Sequence, residues 1–283
     1  MVYKRTPLQV ILSILGYIVL ILFALTMVVP FIWMISTSLK TPGSEFAYPP
    51  QILPTEFNFT AYVTLFTELP FLRFFLNTLF ITACTVIGQL MICSLAAYGF
   101  ARLNFIGRDK LFMLYLATMM IPFQITLIPL FLIIAGLGWV NTYQGLIIPG
   151  ISSAFGIFLL RQSFLGVPRD YQDAARIDGA SEWTIFLRVF LPLNGPALAT
   201  LGVFTFMGTW TELLWPLLIS RQENMRTLEL GLAYFNARPN AFLQPNWPLL
   251  MAGAVVVMLP VLIIYIFTQR YFVRGISLSG VKG

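Results

Sequence analysis

Long apolar runs without charge alternate with short polar segments along these 283 residues. Residues 6–39, 74–101, 111–160 and 247–269 carry no Asp, Glu, Lys or Arg, and 189–220 carries only Glu212. About 20 apolar residues suffice to cross a bilayer as a helix. The run 111–160 is long enough for two crossings, and Gly136-Leu-Gly138-Trp-Val-Asn141 punctuates its middle with turn-forming residues. The pattern predicts six crossings at about 9–37, 74–101, 111–135, 142–164, 190–219 and 247–269. The expected fold is an all-α polytopic membrane protein, one transmembrane domain over 1–283. Residues 38–72, with Pro42, Pro49, Pro50 and Pro54, are expected to form a loop with little regular structure, and 221–246 a polar loop. The apolar run after Lys4-Arg5 is too long for the core of a signal peptide and is read as a retained first crossing.

Six crossings place both termini on one side. Twelve of the 17 Lys and Arg residues fall on the terminal side and five on the other. The excess of basic residues marks the cytoplasmic face, so both termini are expected inside. The basic residues flank the apolar runs, so the net charge of +6 reads as topology and not as nucleic-acid binding.

Hydrophobic residues make up 58% of the chain and charged residues 10%, well below the quarter or so of a soluble domain. There is no histidine, which removes imidazole catalysis and histidine metal ligation. Cys84 and Cys93, nine residues apart on one predicted helix, lie roughly 13 Å apart and cannot form a disulfide.

Between the fourth and fifth crossings lies a charged island, residues 168–188. Pro168 suits the first turn of a helix. Tyr171, Ala174, Ala175 and Asp178 then share one face, kept flat by the two alanines. Gly179 is expected to end that helix in a left-handed conformation. Ser181 can cap a second short helix that carries Glu182 in its first turn and runs through Leu191-Pro192 into the fifth crossing. Two readings fit these residues: a docking surface for a partner, or an amphipathic helix lying on the inner leaflet.

Asp173-Ala-Ala-Arg-Ile-Asp-Gly179-Ala with the later Leu191-Pro192-Leu193 resembles the "EAA" loop of ABC importer permeases. Asp173 stands where that family places glutamate. Ser94-Leu-Ala-Ala-Tyr-Gly-Phe-Ala-Arg102, Met120-Ile-Pro122 with Gln124, Asn141-Thr142, Phe155-Gly156, Trp247-Pro-Leu-Leu-Met-Ala252 and the tail from Gln269 to Gly283 are similar to the maltose-system type of carbohydrate permease. Trp210-Thr-Glu-Leu213 departs from the Trp-Asn-Asp-Phe usual there. The resemblance implies a type I importer fold in the bacterial cytoplasmic membrane. It implies coupling to an ATPase through Asp173, Ala174, Ala175, Asp178, Gly179, Leu191 and Pro192. It also implies an ATPase-contacting tail at Gly280, Val281, Lys282 and Gly283. The implied partners are a second permease of related fold, forming a heterodimer, two cytoplasmic ABC ATPases and an extracytoplasmic solute-binding protein.

The chain has no Gly-x4-Gly-Lys-Ser/Thr loop, and Gly275-x4-Gly280-Val-Lys282 lacks both the spacing and the hydroxyl. It is therefore expected to bind no cofactor itself, with ATP and Mg on the partner ATPases, and to have no catalytic or metal site. Candidate path residues are the polar positions within crossings: Asn77, Gln124, Ser152 and Thr209, with Glu212 measured along a straight helix to the outer mouth. Gln89, Gln144, Ser153 and Thr205 share that character. The expected function is ATP-driven import of a sugar or oligosaccharide by alternating access. The alternatives are a sugar phosphate or polyol as substrate, an ion-coupled carrier acting alone, or an intramembrane enzyme. The uncharged span centres weigh against an ion-coupled carrier.

Overall fold

The computed structural model describes residues 6–49, 51–236 and 246–279, with backbone only at 236 and 270–279. Every regular element among them is helical. The chain divides into two units, 1–69 with 234–258 and 70–233 with 259–283.

In the first unit, helix α1 (Pro7–Ser38) opens with a reciprocal cap. The Thr6 hydroxyl accepts from the Gln9 amide, and the Gln9 side chain accepts from the Thr6 amide. Its apolar side chains are exposed along nearly its whole length, as suits a helix whose surroundings are lipid or another subunit. The segment after it is more ordered than its prolines predict. It contains helix α2 (Thr60–Thr67). Lys40, buried, donates to the Gln51 carbonyl at 2.7 Å and sits 4.8 Å from the Trp33 ring centre. The Ser38 and Tyr62 hydroxyls meet at 2.8 Å. These bonds satisfy polar groups in an otherwise apolar setting, which is why the loop is fixed.

The second unit is built around α3 (Phe71–Arg102). It is followed by α4 (Arg108–Ala117), α5 (Phe123–Gly136), α6 (Tyr143–Ile147) and α7 (Ala154–Leu165). Next come α8 (Asp170–Ile177), α9 (Glu182–Ile185), α10 (Leu191–Leu193), α11 (Gly195–Trp210), α12 (Leu214–Ile219) and α13 (Leu228–Asn236). A π-helical stretch over Phe186–Phe190 joins α9 to α10, so Glu182–Leu193 is one continuous helical run. The final helix α14 (Trp247–Ser279) belongs to the first unit as far as Met258 and to the second from Leu259, and it continues past the predicted end of the crossing at 269.

Three helices are long and apolar enough to cross a membrane unbroken: Pro7–Ser38, Phe71–Arg102 and Trp247–Gln269. Three bent pairs of helices are long and apolar enough if each pair is taken as one span, with 103° between Arg108–Met120 and Phe123–Gly136, 42° between Tyr143–Gly150 and Ala154–Leu165, and 78° between Glu182–Leu193 and Gly195–Trp210. Proline explains two of the breaks. Pro122 precedes α5 and Pro149 sits in the turn before α7, where their missing donors interrupt the helix. At the third, buried Asn194 bonds the Phe190 carbonyl with its backbone amide at 3.1 Å and its side-chain amide at 2.8 Å, and Gly195-Pro196 starts the next helix. The predicted crossing 190–219 is therefore not a single rod; it breaks at Asn194 and again at 211–213. The predicted loop 221–246 contains a helix, α13.

The core of this unit packs Cys93 and Ala97 of α3 against Ile157, Leu160 and Phe164 of α7, with Phe186, Phe190 and Leu201 closing over them. Gly156 permits this approach, since a Cβ there would lie 3.0 Å from Cys93 Sγ and from Leu201. Both cysteines are free. A second cluster gathers Ile81, Ile134, Leu146, Trp215 and Ile219. Asn141, at φ +60°, receives the Arg221 and Gln222 amides at 3.1 and 3.0 Å and so ties the 137–142 turn to the end of α12.

Candidate functional site: a charged loop and a cavity joined by one helix

The charged island folds as two short helices around Gly179. Arg169, not Pro168, occupies the N-cap of α8, so the proline lies two residues before the first helical position, Asp170. Gly179 has φ +77° and open space where a Cβ would be, so its need for glycine is conformational rather than steric. Ser181 caps α9 by accepting from the Thr184 amide at 3.3 Å. Asp173, Ala174, Asp178 and Gly179 are exposed, Ala175 is half-buried, and Tyr171, Ile177 and Trp183 present large apolar surfaces at 53%, 86% and 58% exposure. Leu191 is half-buried and Pro192 exposed. Gly280, Val281, Lys282 and Gly283 lie outside the described residues.

Glu182 is the hub that sequence reasoning missed. Its carboxylate accepts from the Tyr98 hydroxyl at 2.6 Å, from Arg176 Nε at 2.9 Å and from Gln172 at 3.5 Å. One side chain thus fastens α8, α9 and the distal end of α3. Burial works to raise its carboxyl, but the bonds from Tyr98 and Arg176 outweigh that and hold it below the ordinary carboxylate value. Tyr98 packs its ring on Phe186 and Phe190, with centroids 5.3 and 5.1 Å away. Arg102 donates to the Phe164 and Val167 carbonyls and stacks over Phe190 at 4.7 Å. Both residues lie in the stretch Ser94–Arg102, whose resemblance was visible without its role, because an 84-residue separation leaves no local signal.

A cavity of about 360 Å³ lies within the same unit. Thr85 and Gln89 of α3 line one part and Leu201, Phe204, Thr205, Gly208 and Thr209 of α11 another, and Ser153, Phe155, Phe123, Glu212 and Trp215 are among the residues lining the rest. Gln89 donates to the Gly150 carbonyl at 3.0 Å and accepts from the Thr205 hydroxyl, which joins the two helices across the wall. Glu212 Oε1 receives the Leu214 and Trp215 amides at 3.0 and 3.3 Å, which anchors it at the 211–213 break. The 78° bend at Asn194 replaces the straight-helix measure that placed Glu212 at an outer mouth.

Of the sequence candidates, Thr209 and Glu212 line the cavity and Asn77, Gln124 and Ser152 do not. Asn77 is buried, donates to the Asn224 and Arg226 carbonyls at 2.8 and 2.9 Å and accepts from Tyr143 at 2.8 Å; it holds the 224–226 turn. Ser152 meets the Tyr115 hydroxyl at 2.7 Å, and Gln124 is exposed on α5. Polarity within a crossing does not distinguish a path residue from one that ties helices together. Gln89, Ser153 and Thr205 are the other polar candidates that reach the cavity. Among the described residues no group of His, Cys, Asp and Glu could hold a metal ion.

Residues 89–278 match the family described as binding-protein-dependent transport system inner membrane component. The chain is 38% identical over 252 residues to the arabinooligosaccharides transport system permease protein AraQ of Halalkalibacterium halodurans, covering 88% of this chain and 86% of that one. It is 32% identical to the lactose transport system permease protein LacG of Rhizobium radiobacter, covering 95% and 96%. Among solved structures, a chain of a bacterial ABC transporter involved in import of the acidic polysaccharide alginate superposes with TM-score 0.86 at 26% identity, over 95% of this chain and 99% of that one.

Proposed function

The chain belongs to the family of binding-protein-dependent transport system inner membrane components, and we propose that it forms half of the membrane path of an ATP-driven importer for neutral saccharides. It is a transport subunit and not itself an ATPase. ATP and Mg bind to two ABC ATPases docked at residues 168–188. A second permease of related fold completes the path, and an extracytoplasmic binding protein delivers the sugar. Both termini, with the tail at Gly280–Gly283, face the ATPases.

One observation carries this reading: the loop and the cavity wall are a single run of backbone. From Asp170 the chain passes through α8, the Gly179 bend and the continuous helix Glu182–Leu193 into α11, which lines the cavity. Force on the bend is transmitted to α11 directly and to α3 through the Tyr98–Glu182 bond. Those two helices are joined at Gln89 and Thr205, so the wall they form moves with the loop. This is a mechanical basis for alternating access.

The lining supports saccharide as the cargo. Phe123, Phe155, Phe204 and Trp215 offer aromatic faces for sugar C–H surfaces, while Gln89, Ser153 and Thr209 offer hydrogen-bonding groups. Glu212 is the single charged residue among those lining it. A sugar phosphate would meet a carboxylate and no cation, which favours a neutral saccharide over that alternative.

The test is uptake into proteoliposomes holding the chain with its partners, with lactose and arabino-oligosaccharides as probes. Uptake should require ATP inside and loaded binding protein outside. Uptake by the chain alone on a proton or sodium gradient would establish the secondary-carrier reading instead.

A further inference from the structure

The helical run from Glu182 to Leu193 changes pitch on its way to the cavity wall. Over Phe186–Phe190 it is π-helical, and the Leu191 amide donates to the Phe186 carbonyl, five residues back instead of four. Pro192 supplies the cause. It has no N–H for the Arg188 carbonyl, and in an α-turn its ring would crowd that oxygen. Widening the preceding turn relieves the crowding and keeps the neighbouring amide bonded. Pro192 itself is exposed, so its effect is on the backbone and not on the core. The wider turn decides which side chains share a face. Glu182 and Phe190 are eight residues apart. At 3.6 residues per turn, an unbroken α-helix would leave them roughly 80° apart around the axis. A turn closed five residues back takes up about one residue more, which moves the offset by about 100°, to roughly 20° in the other direction. Glu182, Phe186 and Phe190 then form one stripe, and Tyr98 meets all three. Its hydroxyl lies 2.6 Å from Glu182, and its ring centroid lies 5.3 Å from that of Phe186 and 5.1 Å from that of Phe190.

The far end of the stretch is held without the proline. Besides its two bonds to the Phe190 carbonyl, Asn194 accepts from the Ser163 hydroxyl of α7 at 2.5 Å. The Phe190 ring lies 5.7 Å from that of Phe164 on the same helix. With that end fixed, a change of phase falls on the end that carries Glu182 and the charged loop. We propose that Pro192 is a positioning residue: the π-turn it imposes sets the rotation of the charged loop so that Glu182 meets Tyr98. Without the proline the run closes as an α-helix and turns Glu182 away from the tyrosine. The role this gives Pro192 in transport rests on the reading above, in which loop motion reaches α3 through the Tyr98–Glu182 bond.

The experiment uses the complete importer, with thermal midpoints measured on the purified complex and sugar imported per ATP measured in proteoliposomes. Pro192→Ala puts the best helix former at an exposed position and should fold. In the wild-type background Tyr98→Phe should lower the midpoint by roughly 2–4 °C. In the Pro192→Ala background it should leave the midpoint unchanged, because the bond is already lost. Pro192→Ala alone should import several-fold less sugar per ATP. Arg188 is exposed, and deleting it from the Pro192→Ala chain removes the surplus residue, which returns Glu182 to roughly 20° from Phe190 in an all-α run. That deletion should restore both the sensitivity to Tyr98→Phe and the import ratio, a recovery that a merely destabilising replacement of the proline would not show. A midpoint still lowered by Tyr98→Phe in the Pro192→Ala chain, or no recovery on deleting Arg188, overturns the proposal. Midpoints that behave as predicted beside an unchanged import ratio support the positioning and count against the coupling reading, so the two fail separately.

Discussion

Tyr98→Phe removes one oxygen from the bond that fastens the charged loop to α3. The ring keeps its places against Phe186 and Phe190, 5.3 and 5.1 Å away, so the core is not opened. The lost interaction is a 2.6 Å bond from a buried tyrosine to a carboxylate. Hydrogen bonds to charged groups contribute about 1.5–3 kcal/mol. The Glu182 side chain is 42% exposed and keeps Arg176, so solvent and the remaining partner reduce the loss to about 1 kcal/mol. That corresponds to roughly 2–4 °C in thermal midpoint. The functional effect should be larger than the stability effect, because the loop would pull on α11 without drawing α3 along. In proteoliposomes, ATP hydrolysis should persist while sugar imported per ATP falls several-fold. A double-mutant cycle with Glu182→Gln should show coupling of about 1 kcal/mol. Unchanged import per ATP in a Tyr98→Phe variant with the expected small loss of stability would refute the clamp.

Other substitutions read the remaining structural claims. At Gly231 a Cβ would lie 2.2 Å from the Phe74 ring, so Gly231→Ala should cost about 1–3 kcal/mol and lower the thermal midpoint. Glu212→Leu removes the acceptor for the Leu214 and Trp215 amides and should cost about 1–2 kcal/mol, whereas Glu212→Gln keeps an oxygen there and should cost far less; thermal unfolding compares them. Burial pushes the Glu229 carboxyl above its ordinary 4.5. Its folded form therefore holds a proton that the unfolded chain releases, and stability falls as pH rises through the raised value. Glu229→Gln should stabilise the protein at neutral pH and lose that advantage as pH drops below the ordinary carboxylate range.

Much of the fold could be read from the residues because lipid imposes a simple rule: long uncharged runs must be helices. Gly179 and Ser181 were legible for a similarly local reason, since a left-handed turn and a hydroxyl cap depend on neighbours in sequence. The bends were not. Pro122, Pro149 and Pro196 stand at or beside the three breaks, but proline is tolerated within membrane helices, and nothing local to these residues gives the angles of 103°, 42° and 78°. The path residues were read on polarity, which Asn77 shares with Thr209 although one ties a turn and the other lines a cavity. Glu182 was assigned to a helix first turn, where it does sit; its bonds to Tyr98 and Arg176 are contacts between elements, and no spacing rule reports them.

Gly179 carries the central claim, that force at the bend of the charged loop drives the cavity wall. Its φ of +77° costs an ordinary residue about 1–2 kcal/mol, asparagine less, and beyond its two chain neighbours no atom of the described residues lies within 4 Å of a Cβ placed there. Gly179→Asn and Gly179→Trp should therefore both fold, and only the tryptophan should obstruct a docked ATPase. The decisive measurement is sugar imported per ATP hydrolysed by the two variants in the complete reconstituted importer. The account predicts a ratio near wild type for asparagine and a loss of tenfold or more for tryptophan with hydrolysis continuing. A wild-type ratio in the tryptophan variant would contradict it.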